Sequence, residues 1–269
     1  MTKLNTLAAR IEGIGFWADG LPTWKAAVDH ALSGTPPADG GKPSPMMLAP
    51  NERRRAPPSV AVALDVALAA CEAAGREPAS LPSVFASTHG DLAITDYMCR
   101  TLADDPRAIS PTKFHNSVHN AAAGYWTIGA GCLRPATALS AHRASFAQGL
   151  LEALAQLACG DTAVLLAAYD TPGTGPLGAV SQSTGLLGGA LVLATGPDAD
   201  QHRDRGGINL RATLVDGDAP RGNGVLSRHA GANAMAPMLP LFDALATGSD
   251  LVLLHAGHGR TLRVELAHG

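Results

Sequence analysis

Residues 116–145 read NSVHNAAAGYWTIGAG (116–131), CLRPATALS (132–140) and AHRAS (141–145). The small and apolar residues from Val118 to Gly129 predict a helix, closed by a glycine-bearing turn that runs to Pro135. Thr137–Ser140 predicts a short strand. A tight turn through His142 and Arg143 then leads into a second helix, Ser145–Ala158, with apolar residues at helical spacing. Helix, strand and helix in so short a span is the signature of an α/β layer.

The same alternation extends on both sides. Upstream lie a strand over Arg10–Phe16, an amphipathic helix over Pro22–Leu32 with Trp24, Ala27, Val28 and Ala31 on one face, and a Pro/Gly-rich linker, Ser33–Pro58, with no regular period. A helix over Ser59–Ala74 starts after a proline pair and stops at Gly75. It is followed by a strand over Ser83–Ser87 and a helix over Leu92–Leu102. Downstream, Ala163–Ala168 reads as a strand. Gly185–Ala194 and Gly207–Val215 have no long helix between them, which predicts an antiparallel pair at the end of the sheet. A helix over Met235–Ala246 and strands over Leu251–His255 and Thr261–Leu266 complete the pattern, without an internal repeat.

Composition excludes several classes. The 269 residues are 46% hydrophobic, 16% charged and 4% aromatic, which supplies a sizeable core and rules out a disordered chain. With 30 glycines and 19 prolines in no period, collagen and coiled coil are excluded. The longest apolar runs, Thr162–Tyr169 and Gly185–Thr195, fall short of the ~18 residues of a membrane span. Met1–Arg10 has no apolar stretch or cleavage site of a secretory signal, so a cytoplasmic protein is expected. A net charge of −3 offers no field for nucleic acid. Cys71, Cys99, Cys132 and Cys159 form no CxxC pair and are read as free thiols; no metal or cofactor site is expected. His115 and His119 are four apart and would share a face of one helix, yet no Glu lies between them as in HExxH and no third ligand is evident.

Asn116–Gly131, the turn to Pro135 and the run Leu139, Ser140, Ala141, His142, Arg143, Ala144, Ser145 resemble the β-ketoacyl synthases of the thiolase superfamily. Gly160, Asp161 and Val164 are similar to that family's next strand, and Gly188–Leu193 to its Gly-rich strand. The resemblance implies a single domain, 1–269, with a layered α/β/α thiolase-like fold. Its N-terminal half, 11–216, would be complete and its C-terminal half, 217–269, strongly shortened.

In that family a cysteine at a strand-to-helix elbow accepts the acyl chain, because the helix N-terminus lowers its thiol pKa and backbone N–H groups hold the oxyanion. Aligned from Pro135, the cysteine falls on Arg143, with His142 and Ala144 beside it; a guanidinium forms no thioester. Cys132 lies at the far end of the strand and is read as a small apolar filler in a turn. Ser145, next to His142, could be a nucleophile, but the simpler reading is an N-cap, and no Gly-x-Ser-x-Gly turn surrounds it. Ser227–Ala236 resembles the stretch that carries one catalytic histidine, which sets His229 near that position without the accompanying lysine. Ala256–Thr261 resembles the family's gating loop with His258 at the Phe position.

Retaining the scaffold while losing the cysteine resembles the chain-length factors, the inactive partners of type II polyketide ketosynthases. The segments Ile14–Trp24 and Asn51–Ser59 look like the short ketosynthase-like proteins of aryl polyene clusters. This resemblance implies a heterodimer with a full-length ketosynthase, on which acyl carrier protein docks, and a homodimer when the chain is made alone. Phe114, His115, Asn116, Val118 and His119 would face the partner's tunnel, and Thr137–Ser140, including Leu139, would continue the sheet across the interface. Two other readings stand beside it: a small acyltransferase or hydrolase acting through Ser145, and a ligand-binding module on a thiolase scaffold.

Overall fold

The structure, a computed structural model, describes residues 6–37, 41–195 and 207–268. Met1–Asn5 of the stretch read for a signal and part of the 33–58 linker lie outside the described residues. One eight-stranded sheet organises the chain. Its strands are β1 (Thr6–Ala18), β2 (Ser83–Ala86), β3 (Ala136–Leu139), β4 (Ala163–Asp170), β5 (Leu187–Ala194), β6 (Ile208–Asp216), β7 (Leu251–Gly257) and β8 (Arg260–His268), in the spatial order β3-β2-β4-β5-β1-β6-β8-β7. The β2 pairs with β3 and β4 are parallel; the remaining pairs are antiparallel.

Ten α-helices are described: α1 (Trp24–Ser33), α2 (Pro50–Arg55), α3 (Pro58–Ala74), α4 (Leu92–Asp104), α5 (Pro111–His115), α6 (Ala121–Gly129), α7 (Ser145–Ala158), α8 (Gly175–Val180), α9 (Val225–His229) and α10 (Leu239–Thr247). They divide the core into two layers. One sheet face is covered by α3 and α6, and the other by α7, α10 and α1. This is the expected α/β/α layering. The α3 backbone approaches β1 so closely that a Cβ on Gly13 or Gly15 would run into the carbonyls of Ala70 and Val66. Only glycine allows a helix to lie flat on the strand there. On the opposite face Phe242 joins three elements, its ring centroid lying 5.3 Å from Phe16, 5.9 Å from Trp24 and 6.2 Å from Phe146.

Several expectations are corrected. β5 and β6 do not pair with each other and are not at the sheet's end, because β1 lies between them. That strand has thirteen residues, and a bulge between Ile11 and Gly13 lets its first half pair with β6 and its second with β5. The strand begins at Thr6, ahead of the expected Arg10. The helix expected from Val118 starts at Ala121, and α5 precedes it with a loop between. His115 and His119 consequently do not share a helix. The linker contains the short α2, whose first residue is Pro50, and the helix expected from Met235 is a 3-10 turn at Ala236–Met238 followed by α10. Pro237 and Pro240 lack the N–H groups that a continuous helix requires.

No helix among the described residues is long and apolar enough to cross a membrane.

Candidate functional site

The expected strand-to-helix elbow exists. β3 ends at Leu139, a 3-10 turn spans His142–Ala144, and α7 begins at Ser145. His142 has φ +52°, the one positive φ on a non-glycine residue among those described. The strained apex is thus His142, one residue before the position given by sequence register, and Arg143 follows it within the turn.

Neighbouring hydroxyls hold this backbone. Ser145 Oγ donates to the His142 carbonyl at 2.6 Å and accepts from the Ala141 N–H at 2.9 Å. Ser145 is therefore not an N-cap of α7: it is the first helical residue, it is 1% exposed, and its hydroxyl fastens the elbow from inside. A hydroxyl so buried and engaged is not presented as a nucleophile.

Ser140 Oγ donates to the Thr88 carbonyl at 2.7 Å, which joins the elbow to the loop after β2. That loop is anchored on Asp170, the last residue of β4, whose carboxylate accepts from Ser87 Oγ at 2.7 Å and from the Thr88 N–H at 3.1 Å. Asp170 is fully buried, and burial pushes its carboxyl above the ordinary carboxylate pKa despite His89 and these hydrogen bonds.

The elbow opens into a cavity of about 610 Å³. Its polar lining includes Thr88, His142, Arg143, Arg221, Ser227 and His255, with Ser181, Gln182, Thr184 and Asn233 beside them. His142, Arg143 and Arg221 are exposed and His255 is half-buried. β7 carries His255 to the cavity, and Gln148 of α7 fixes that strand by donating to the Ala256 carbonyl at 2.8 Å. The far wall depends on Asp243 of α10, which accepts from the N–H groups of Leu226 and Ser227 and from Ser227 Oγ.

His229 and His258 lie elsewhere. His229 bonds the Asp19 carbonyl at 2.8 Å and stacks edge-on against His30, and His258 is exposed at the turn between β7 and β8; neither lines the cavity. Sequence reasoning missed His255 and Arg221. His255 falls on the half-exposed phase of the alternating strand Leu251–Gly257, a weak signal, whereas Arg221 sits in an aperiodic Pro/Gly stretch that offers none.

No cysteine lines the cavity. Cys71 is buried with its thiol pushed up to about 12, chiefly by desolvation, and Cys132 is buried with Sγ donating to the Leu81 carbonyl at 3.4 Å. Cys99 and Cys159 are exposed elsewhere. Among the described residues no cluster of three His, Cys, Asp or Glu side chains could hold a metal.

The residues expected to face a partner lie on β3 and on the α5–α6 segment. Among the described residues β3 pairs only with β2, which leaves it at the edge of the sheet. Phe114 (61% exposed), Val118, Ile128 (73%) and Leu133 (99%) are large apolar side chains in solvent on the neighbouring segments. Thr137 and Leu139 are half-exposed. His115 is exposed and packs edge-on against Tyr125, while His119 Nε2 lies 3.0 Å from the Ser87 carbonyl. Asn116, by contrast, is 4% exposed and faces its own chain.

The three-layer sheet and the strand-to-helix elbow define a thiolase-like protein of the ketosynthase type. Residues 24–205 match the family model described as beta-ketoacyl synthase, N-terminal domain, and the chain belongs to that family. No curated protein matches the sequence. Among solved structures, it is similar to a chain of the ketosynthase (ApeO) in complex with its chain length factor (ApeC) from Xenorhabdus doucetiae, at 23% identity and TM-score 0.69, covering 97% of each chain. It is also similar to a chain of the ishigamide ketosynthase/chain length factor, at 14% identity and TM-score 0.71, covering 97% of this chain and 99% of that one. A beta-ketoacyl synthase from Burkholderia phymatum STM815 aligns at 13% identity and TM-score 0.60, over 91% of this chain but 71% of its own. At these identities the likeness is one of fold.

Proposed function

We propose that the chain is a non-catalytic chain-length factor, a cytoplasmic subunit that pairs with a full-length β-ketoacyl synthase and shapes its acyl tunnel during polyene-type chain elongation. One observation carries this reading: the elbow of the family is built, but His142 and Arg143 stand where a thiol is required, and no cysteine reaches the cavity. Without a thiolate the chain has no acyl acceptor of the family's kind.

The uncovered β3 edge supports pairing. An edge strand with the sequence Ala-Thr-Ala-Leu and no charge presents free N–H and C=O groups to another chain. The exposed side chains of Phe114, Val118, Ile128 and Leu133 provide the apolar contact that such an interface requires. In this reading Phe114, His115, Val118, His119, Thr137 and Leu139 face the partner, Asn116 supports them from within, and acyl carrier protein docks on the pair. The likeness to chains of complexes between a ketosynthase and its chain length factor is consistent with that assembly.

The test is co-expression with a full-length ketosynthase, followed by intact mass measurement of both subunits after loading from acyl carrier protein. The expected result is co-purification with the acyl label on the partner alone. Label on this chain would overturn the proposal, and so would condensation by this chain in isolation.

A further inference from the structure

The charge of the elbow cavity is unusual for a site that performs no chemistry. Arg143 and Arg221 line it together with His142 and His255, and among the described residues no carboxylate does. None of these four side chains has an ion pair or side-chain hydrogen bond among the described residues. The closest acidic groups in sequence are turned to other work: Asp216 is paired with Arg260, and Asp218 accepts from the Gly259 N–H. Two permanent cations in a concave site without a counter-ion concentrate anions there.

The rest of the lining narrows the choice of anion. Pro220, Ala236, Pro237, Pro240, Leu253 and Val180 form an apolar wall. The volume, about 610 Å³, lies within the range of about 300–1,000 Å³ typical of small-molecule sites and far exceeds that of a bare ion. Thr88 also lines the cavity, its backbone clamped by Asp170 and Ser140. The left-handed backbone at His142 is a local cost concentrated at the same place, as at many ligand sites.

We propose that this cavity binds a small amphiphilic carboxylate, its head between Arg143 and Arg221 and its short apolar body on the proline-rich wall. Guanidinium groups suit a carboxylate because they donate two parallel hydrogen bonds. The site uses this chain's own residues and needs no partner, so the proposal and the pairing with a ketosynthase stand or fall separately.

The experiment is calorimetric titration of the full chain, alone and in its complex, with octanoate, octanamide, acetate and octyl phosphate. Octanoate is expected to bind saturably at one site per chain and to weaken as salt rises. Octanamide, which lacks the charge, and acetate, which lacks the body, should each bind about tenfold or more weakly. Arg143→Gln and Arg221→Gln should each weaken octanoate about three- to tenfold, whereas Arg134→Gln, outside the cavity, should leave it unchanged. Absence of saturable octanoate binding overturns the proposal, as does equal binding of octanamide or of acetate. Tighter binding of octyl phosphate than octanoate refutes the carboxylate head. The comparison of ligands on the unmodified chain holds even if a variant folds poorly.

Discussion

Replacing His142 by glycine should stabilise the protein, whereas the same replacement at Arg143 should destabilise it. His142 occupies the left-handed region, where a Cβ costs about 1–2 kcal/mol, at the lower end for a residue that tolerates this backbone. Glycine removes that cost but adds about 0.5–1 kcal/mol of conformational freedom to the unfolded chain. The net expectation is a gain of a few tenths to about 0.5 kcal/mol. The imidazole makes no hydrogen bond among the described residues, so no contact energy offsets it. Arg143 lies in the 3-10 turn without a positive φ, so Arg143→Gly carries only the entropic loss of about 0.5–1 kcal/mol. The two variants should differ by about 1 kcal/mol, or roughly 2–4 °C in Tm for a chain of this size. Urea denaturation followed by circular dichroism reads the difference as a displaced midpoint with an unchanged slope. Equal destabilisation by the two glycines would refute His142 as the strained apex and restore Arg143 to that position.

Asp243→Ala removes the acceptor for two backbone N–H groups and the Ser227 hydroxyl, all buried, and should cost about 2–3 kcal/mol in urea denaturation; a loss below about 0.5 kcal/mol would show that the cavity's far wall does not depend on it. Ile128→Asp combined with Leu133→Asp should abolish co-purification with the ketosynthase while changing the stability of the isolated chain by less than about 0.5 kcal/mol; intact pairing would remove these residues from the interface. Asp170 gives a pH signature. Its folded pKa is raised, so the native state holds a proton that the unfolded chain releases near 3.8, and the associated stability is full below that value and lost as pH rises through the folded pKa. Asp170→Asn, which keeps an acceptor for Ser87 but cannot ionise, should flatten that descending limb; an unchanged slope of urea midpoint against pH above about 4 would contradict it.

Much of the fold is legible because its signals are local. Pro58 and Gly75 bracket α3 as the helix rules require, with Gly75 in the left-handed cap and its N–H on the helix carbonyls. The alternation of helix and strand from Ser83 to Asp170 gives the layered architecture directly. Strand order is another matter. Periodicity tells which residues alternate along β1, but its insertion between β5 and β6 is decided by pairing across most of the chain, helped by a bulge whose sequence, Ile11-Glu12-Gly13, resembles that of any regular strand. The break between α5 and α6 was likewise hidden, since Ser117–Asn120 carries no proline or glycine, and the chain leaves the helix there for tertiary reasons such as the His119 bond to the Ser87 carbonyl.

At the elbow, the sequence shows a strand-to-helix turn with no cysteine between Leu133 and Ala158, but not how that turn is held. The backbone there is held from three sides: Ser145 closes the turn, Ser140 ties it to the Thr88 carbonyl, and Asp170 clamps the Thr88 N–H from β4. None of these bonds uses the side chain of His142 or Arg143, so a substitution there leaves them in place. That geometry has a second use, because the elbow terminates β3, the uncharged edge on which another sheet can build. Loss of the turn would let the end of that edge fray, whereas a change of side chain at its apex does not touch it. The bonds that hold the elbow and the side chains at its apex are therefore physically separable.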